Sequence, residues 1–115
     1  MIRNMNNMTV EHIAAHKDGS GTITVTNFFE PEDFCRKGRF YGITEIQPGD
    51  HIGKHQHVGD QEAYFILDGE ADYLDNDTWV RVKPGDLAIC RDGGWHSIRA
   101  VGTTPLRYVS LILFT

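Results

Sequence analysis

A chain of 115 residues, 40% hydrophobic and 23% charged, has the make-up of one ordinary globular domain rather than a disordered segment. Its formal net charge of −5, with no run of Lys or Arg, argues against nucleic acid as a partner. The longest apolar-rich stretch, Tyr108 to Phe114, is too short to span a bilayer, and MIRNMNNMTVEH lacks the apolar centre of a signal peptide, so a cytoplasmic protein without membrane contact is expected.

In chain order, residues 1–21 read as an N-terminal arm and 22–115 as a single barrel domain. The one place for a helix is Thr9 to His16, where Thr9 can cap a short turn. Ile23 and Val25 alternate with threonines as a half-buried strand. Phe40 to Gln47 is the next strand, and Ala63 to Leu67 is an unbroken apolar run of strand length. Ala71 to Leu74, Trp79 to Val82, Leu87 to Cys90, Ile98 to Val101 and Leu106 to Phe114 complete the series. Turn residues separate them, as in Asp18-Gly19-Ser20-Gly21, Asp68-Gly69, Asp75-Asn76-Asp77 and Asp92-Gly93-Gly94. Pro48-Gly49-Asp50 recurs as Pro84-Gly85-Asp86, which suggests two related hairpin units. Many short strands at this spacing predict an all-β sandwich or barrel.

Two cysteines, Cys35 and Cys90, are too few for a disulfide framework and lack CxxC spacing, so both are expected to be reduced thiols without a zinc. Cys90 lies in an apolar strand and reads as a buried, inert thiol.

The chemistry centres on His55-Gln56-His57. In an extended segment, residues two apart face the same side, so both imidazoles aim at one point. Glu62 follows a bend at Gly59-Asp60 and can return beside them, and His96, after the Asp92-Gly93-Gly94 turn, is the natural fourth ligand. Three imidazoles and one carboxylate suit one divalent transition-metal ion, whether iron, manganese, nickel, cobalt or zinc. On an octahedral ion they leave two positions open, whereas a structural zinc site is closed and usually thiolate-rich.

The segment Gly49-DHIGK-His55-Q-His57-VGDQ-Glu62-AYFILD-Gly69 resembles the first signature of the cupin superfamily at every fixed position. Gly85-DLAIC-Arg91-D-Gly93-GW-His96-SIR-Ala100 resembles the second, with Arg91 and Ala100 replacing its usual proline and asparagine. The resemblance implies a double-stranded β-helix, a jelly-roll barrel of two sheets. It implies His55, His57, Glu62 and His96 as metal ligands. It also implies a homodimer in which an N-terminal strand, here residues 22 to 29, adds to the partner.

Other residues are weighed against this set. His51 reads as a solvated loop histidine, and His12 and His16 as surface positions of the short helix. Tyr64 and Ile66 share the parity of Glu62 and should line the interior, where Tyr64 can orient a bound molecule or handle a proton. Tyr41, Tyr73 and Trp95 are weaker pocket candidates, and Lys54, Gln56 and Arg99 read as solvated. Two functions follow. One is a metal-dependent enzyme on a small sugar- or carboxylate-like substrate, such as a dioxygenase, isomerase or lyase, with Tyr64 as the catalytic candidate. The other is a non-catalytic small-molecule binding or sensor module.

Overall fold

A computed structural model describes residues 1–115. Ten strands are joined by turns and three short 3-10 segments. They are β1 (Thr9–Ala14), β2 (Thr22–Asn27), β3 (Gly38–Ile46), β4 (His51–Gln56), β5 (Asp60–Asp68), β6 (Glu70–Asp75), β7 (Thr78–Val82), β8 (Leu87–Cys90), β9 (Trp95–Val101) and β10 (Leu106–Phe114). One sheet runs in the order β1-β2-β3-β10-β5-β8 and the other in the order β4-β9-β6-β7. Every named pairing is antiparallel. This is the all-β double-stranded β-helix that the turn spacing and the signatures predict. No helix is long and apolar enough to cross a membrane.

The core lies between the two sheets and follows strand parity. Ile23 and Val25 of β2, Tyr64 and Ile66 of β5, and Leu106 and Tyr108 of β10 point inward from the larger sheet. Ala71 and Tyr73 of β6 and Ile98 and Ala100 of β9 meet them from the smaller one. Each fully buried aliphatic side chain of this kind contributes about 1.5–3 kcal/mol. Ala100, standing where the second signature has asparagine, is part of this packing. Its backbone exchanges hydrogen bonds with Gly49 (2.9 Å) and Asp50 (3.0 Å), which ties the two signature segments together.

Three local expectations are corrected. Thr9 to His16 is not a helix: Thr9–Ala14 is the edge strand β1, in register with β2 from Thr9↔Asn27 to Ala14↔Thr22. A lone helix this short is marginal, whereas β-branched Thr9, Val10 and Ile13 suit a strand, and Ile13 packs on the core. His12 therefore sits on a strand, with Nδ1 3.2 Å from the Thr24 hydroxyl, and His16 opens a 3-10 turn. His51 is not in a loop but begins β4 opposite Arg99. Residues 22–27 already have a neighbour on each side, β1 and β3, so this strand has no free edge within the chain. Both cysteines are free, Cys35 exposed and Cys90 buried. Burial pushes the Cys90 thiol up to about 11, in keeping with an inert thiol.

Candidate metal centre

The sheets bring the four sequence-derived ligands together. β4 and β9 pair with His55 opposite His96 and Gln56 opposite Trp95. The register shifts between Ile52 and His55, a bulge at Gly53-Lys54 that sets both flanking side chains inward although they are three residues apart. The same bulge breaks the parity between His51 and His55 and leaves His51 on the outer face.

Beyond β4, His57 is held by the following turn. Its N–H donates to the Gly94 carbonyl (3.0 Å), and its carbonyl accepts from Gly93 (2.6 Å). The Asn76 side chain then accepts from the Trp95 N–H (3.0 Å), which fixes the entry to β9 and so the position of His96. Arg91, in place of the signature proline, leaves this turn intact.

Potential ligand atoms of His55, His57, Glu62 and His96 all lie within 4.8 Å of one another. His96 Nε2 is 3.0 Å from His55 Nε2 and 3.1 Å from His57 Nε2. Glu62 Oε1 is 3.2 Å from His57 Nε2 and 3.4 Å from His96 Nε2.

The other ring nitrogens are engaged on the far side. His55 Nδ1 donates to the Gly53 carbonyl at 2.7 Å. His57 Nδ1 donates to Asp60 at 2.7 Å, and Asp60 in turn accepts from Arg39 Nε at 2.8 Å. His96 Nδ1 lies 2.9 Å from the Tyr73 hydroxyl. With protons on Nδ1, all three Nε2 lone pairs converge on one point, a repulsive arrangement that a cation relieves. On an octahedral ion with bonds of about 2.1 Å, adjacent ligand atoms stand about 3.0 Å apart; a tetrahedral ion spreads them to about 3.4 Å. The imidazole spacings match the octahedral case, so the residues fit one divalent transition-metal ion.

The charges agree with this fit. Burial opposes ionisation of Glu62, but the facing imidazoles of His57 and His96 and the hydrogen bond from Ser110 outweigh it and hold the carboxyl well below its usual range. Ser110 donates to Glu62 Oε2 at 2.5 Å. Burial lowers His55 to about 4, which keeps it neutral and ready to coordinate. His57 is raised by its hydrogen bond to Glu62, an effect that exceeds its own desolvation, with Asp60 adding to it.

A proton on His57 therefore competes with the ion. Because the folded His57 holds its proton above the ordinary value of about 6.5, metal affinity should begin to fall on acidification before a free imidazole would titrate. His55, already neutral, adds nothing to that loss until far lower pH. Titrating manganese into the protein in buffers of different ionisation enthalpy should show proton release on binding that grows from pH 8 to pH 6.5. Binding without proton release across that window would contradict His57 ligation.

Tyr73, weighed from sequence as a pocket residue, stands behind His96 and fixes its orientation. Outer partners of this kind are worth about 10–100-fold in metal affinity. Tyr73→Phe should weaken binding by at least about tenfold in a chelator competition, with the ion count per chain still one.

A chamber of about 290 Å³ opens onto the cluster, lined by His55, His57, Glu62 and Tyr64. Ile23, Val25, Phe40 and Ile52 add apolar wall, and Glu11, Lys17 and Arg39 are exposed charged residues of the lining. Tyr64 is buried and stacks on His96, ring centroids 5.1 Å apart and planes at 27°. Burial raises its phenol well above 10, so at neutral pH it keeps its proton and can only donate or accept a hydrogen bond. Tyr41 is elsewhere, edge-on to Phe28 and Phe29. Trp95 is exposed beneath the Lys54 ammonium, 5.5 Å from the ring.

Residues 42–112 match the model of the cupin domain. The chain belongs to the cupin family. This cupin is 31% identical over 113 residues to an oxalate-binding protein of Thermotoga maritima, a match covering 98% of this chain and 93% of the relative. A crystal structure of a predicted oxalate decarboxylase, also from Thermotoga maritima, superposes with a TM-score of 0.94 at 30% identity over 100% of both chains. A polyketide cyclase from Streptomyces resistomycificus shares the fold, with a TM-score of 0.79 at 16% identity over 99% of this chain and 79% of the other.

Proposed function

We propose that this cupin holds one divalent transition-metal ion through His55, His57, Glu62 and His96 and, with it, binds a small carboxylate in the adjoining chamber. The observation that carries the reading is the convergence of three Nε2 lone pairs and one carboxylate oxygen at the chamber wall. A bound ion of the iron, manganese, cobalt, nickel or zinc type would supply a Lewis acid that favours an anionic oxygen ligand. The Thermotoga relative's name supports oxalate as the first ligand to try. Tyr64 is the orienting group, since its protonated phenol can donate to a bound carboxylate.

Calorimetric titration of oxalate, succinate and glutarate into manganese-loaded and metal-stripped protein tests the proposal. Binding in the loaded protein alone is expected, and Tyr64→Phe should weaken it by about tenfold with metal content unchanged. Equal binding without metal, or none with it, overturns the reading.

The enzyme reading, as a dioxygenase, isomerase or lyase, uses the same centre. It is favoured by His16, a half-buried imidazole lining the chamber. Burial lowers its pKa, with Lys17 adding to the shift, so the ring is neutral and able to accept a proton. Turnover of a bound acid, followed by product release, distinguishes it from the binding module. We also propose a homodimer formed through the outer face of the larger sheet, where Phe65, Leu87 and Ile89 are neighbours in register and exposed. Its solution mass, and that of Leu87→Glu, decides the matter.

A further inference from the structure

The segment Ala15–Gly19 packs across His51 and Gly53 of β4 as a strap. Ala15, Lys17 and Asp18 all have left-handed backbone, with φ of 48°, 54° and 61°, although none is glycine. Non-glycine residues persist there only when their surroundings enforce it, and such segments concentrate at functional sites. Here the enforcement is visible. The Ala15 N–H donates to Gly21 (2.8 Å) and the Ser20 N–H to His51 (3.0 Å). The Lys17 carbonyl packs so tightly on Gly53 that a Cβ there would lie 1.8 Å from it. Gly19 sits against the His51 carbonyl just as closely, with 2.0 Å for its own notional Cβ. The strap is thereby bolted to the strand that carries His55.

What the strap presents to the chamber is charge without a partner. Lys17 lines the chamber and makes no ion pair, and the His16 ring beside it makes no hydrogen bond. The other exposed charged groups of the lining are engaged. Arg39 is paired with Asp60 at 2.8 Å, and Glu11 accepts from Asn27 at 2.8 Å. Ile23, Val25, Phe40 and Ile52 line the same chamber as Lys17 and three of the cluster's four residues. The chamber, of about 290 Å³, has room for several water-sized groups. The lining combines ionisable side chains with apolar ones.

We infer that the strap selects the ligand: Lys17 receives the far carboxylate of a dicarboxylate longer than oxalate, whose near carboxylate lies at the histidine cluster and whose methylenes meet the apolar wall. This rests on the carboxylate reading above and narrows it to a class. Charge-assisted contacts of this kind are the strong ones in a partly dry site, and an unpaired lysine supplies a point charge that needs no fixed fork geometry.

The test uses the full-length manganese-loaded protein and calorimetry with oxalate, succinate, glutarate and butyrate. Glutarate is expected to bind at least about tenfold tighter than either oxalate or butyrate. Lys17→Gln should bring glutarate down to the affinity of butyrate, leaving butyrate affinity, metal content and melting temperature at parent values, and Lys17→Arg should restore the preference. Undiminished glutarate binding by Lys17→Gln, or oxalate binding tightest in the parent, overturns the inference. Loss of metal from Lys17→Gln also overturns it, because the strap would then act through the fold. Failure of the loaded parent to bind any of the four acids would instead sink the carboxylate reading, and the inference with it.

Discussion

His57→Ala should abolish stoichiometric metal binding and lower stability at once. Its side chain joins the cluster to its support: Nε2 is 3.1 Å from His96 Nε2 and 3.2 Å from Glu62 Oε1, and Nδ1 is 2.7 Å from Asp60. Truncation removes one of the four donors, which costs more than the roughly 10–100-fold typical of an outer partner. It also takes the Nδ1 hydrogen bond from buried Asp60 and an imidazole neighbour from buried Glu62. Asp60 keeps Arg39 and Glu62 keeps Ser110, so the stability loss should be about 2–3 kcal/mol rather than the larger penalty of an unpaired buried charge. Metal content measured by mass spectrometry should be about one ion per parent chain and near zero in the variant. His51→Ala is the matched control. The bulge at Gly53-Lys54 puts that ring on the outer face, with its Nδ1 2.9 Å from the Ser20 hydroxyl, so its metal content should equal the parent's. Metal retained by His57→Ala at the parent level would place the site elsewhere.

How far the centre is legible in the sequence depends on how local its parts are. His55, His57 and Glu62 lie within one short segment, and His96 follows its own glycine turn, so spacing and the cupin signatures together nominate the four candidate ligands. The groups that orient the ligands mostly come from across the fold. Tyr73 is 23 residues from His96, and Ser110 is 48 from Glu62. Nothing short of the sheet order places them there. Asp60 is the exception, three residues after His57 on the bend. A carboxylate at that spacing was the available signal for a histidine-orienting partner.

The strands show the same division. Apolar runs such as Ala63 to Leu67 declare themselves, because β5 is covered on its inner face and paired on both edges by β10 and β8. β1 and β4 do not. β1 is mostly exposed along its length, so the hydrophobic alternation that marks a half-buried strand is weak, and His12 and His16 mimic helical spacing. In β4 the alternation is interrupted by the bulge at Gly53-Lys54, which changes parity within the strand. The chamber is invisible for a related reason. Lys17 and Arg39 reach it from β1's following turn and from β3, segments in which nothing but the fold distinguishes them from ordinary surface charges.

Gly53→Ala should be among the most damaging single-methyl changes in the chain. Gly53 does two things in one peptide. Its carbonyl accepts the His55 Nδ1–H at 2.7 Å, which sets the ring with Nε2 toward the cluster. Its α-carbon lies against the Lys17 carbonyl, where a Cβ would come within 1.8 Å of a backbone oxygen. A flexible side chain could swing away from such a clash, but a peptide carbonyl cannot. Either the strap lifts from β4 or β4 moves and carries the Gly53 carbonyl away from His55. The cost should be about 3 kcal/mol, the range of severe steric and backbone substitutions, read as a lower midpoint in denaturant with an unchanged slope. The two routes leave different traces. If the strap lifts, the Gly19 and Ser20 amides, which bond to His16 and His51 at 3.0 Å each, should exchange with deuterium much faster while metal affinity stays near the parent's. If β4 moves, metal affinity should fall by about tenfold or more through His55. The strap's three left-handed residues already hold an unfavourable conformation, whereas β4 is fixed along β9, so lifting of the strap is the expected route. A stable variant with parent-like exchange at Gly19 and Ser20 would show that the strap is not seated on Gly53.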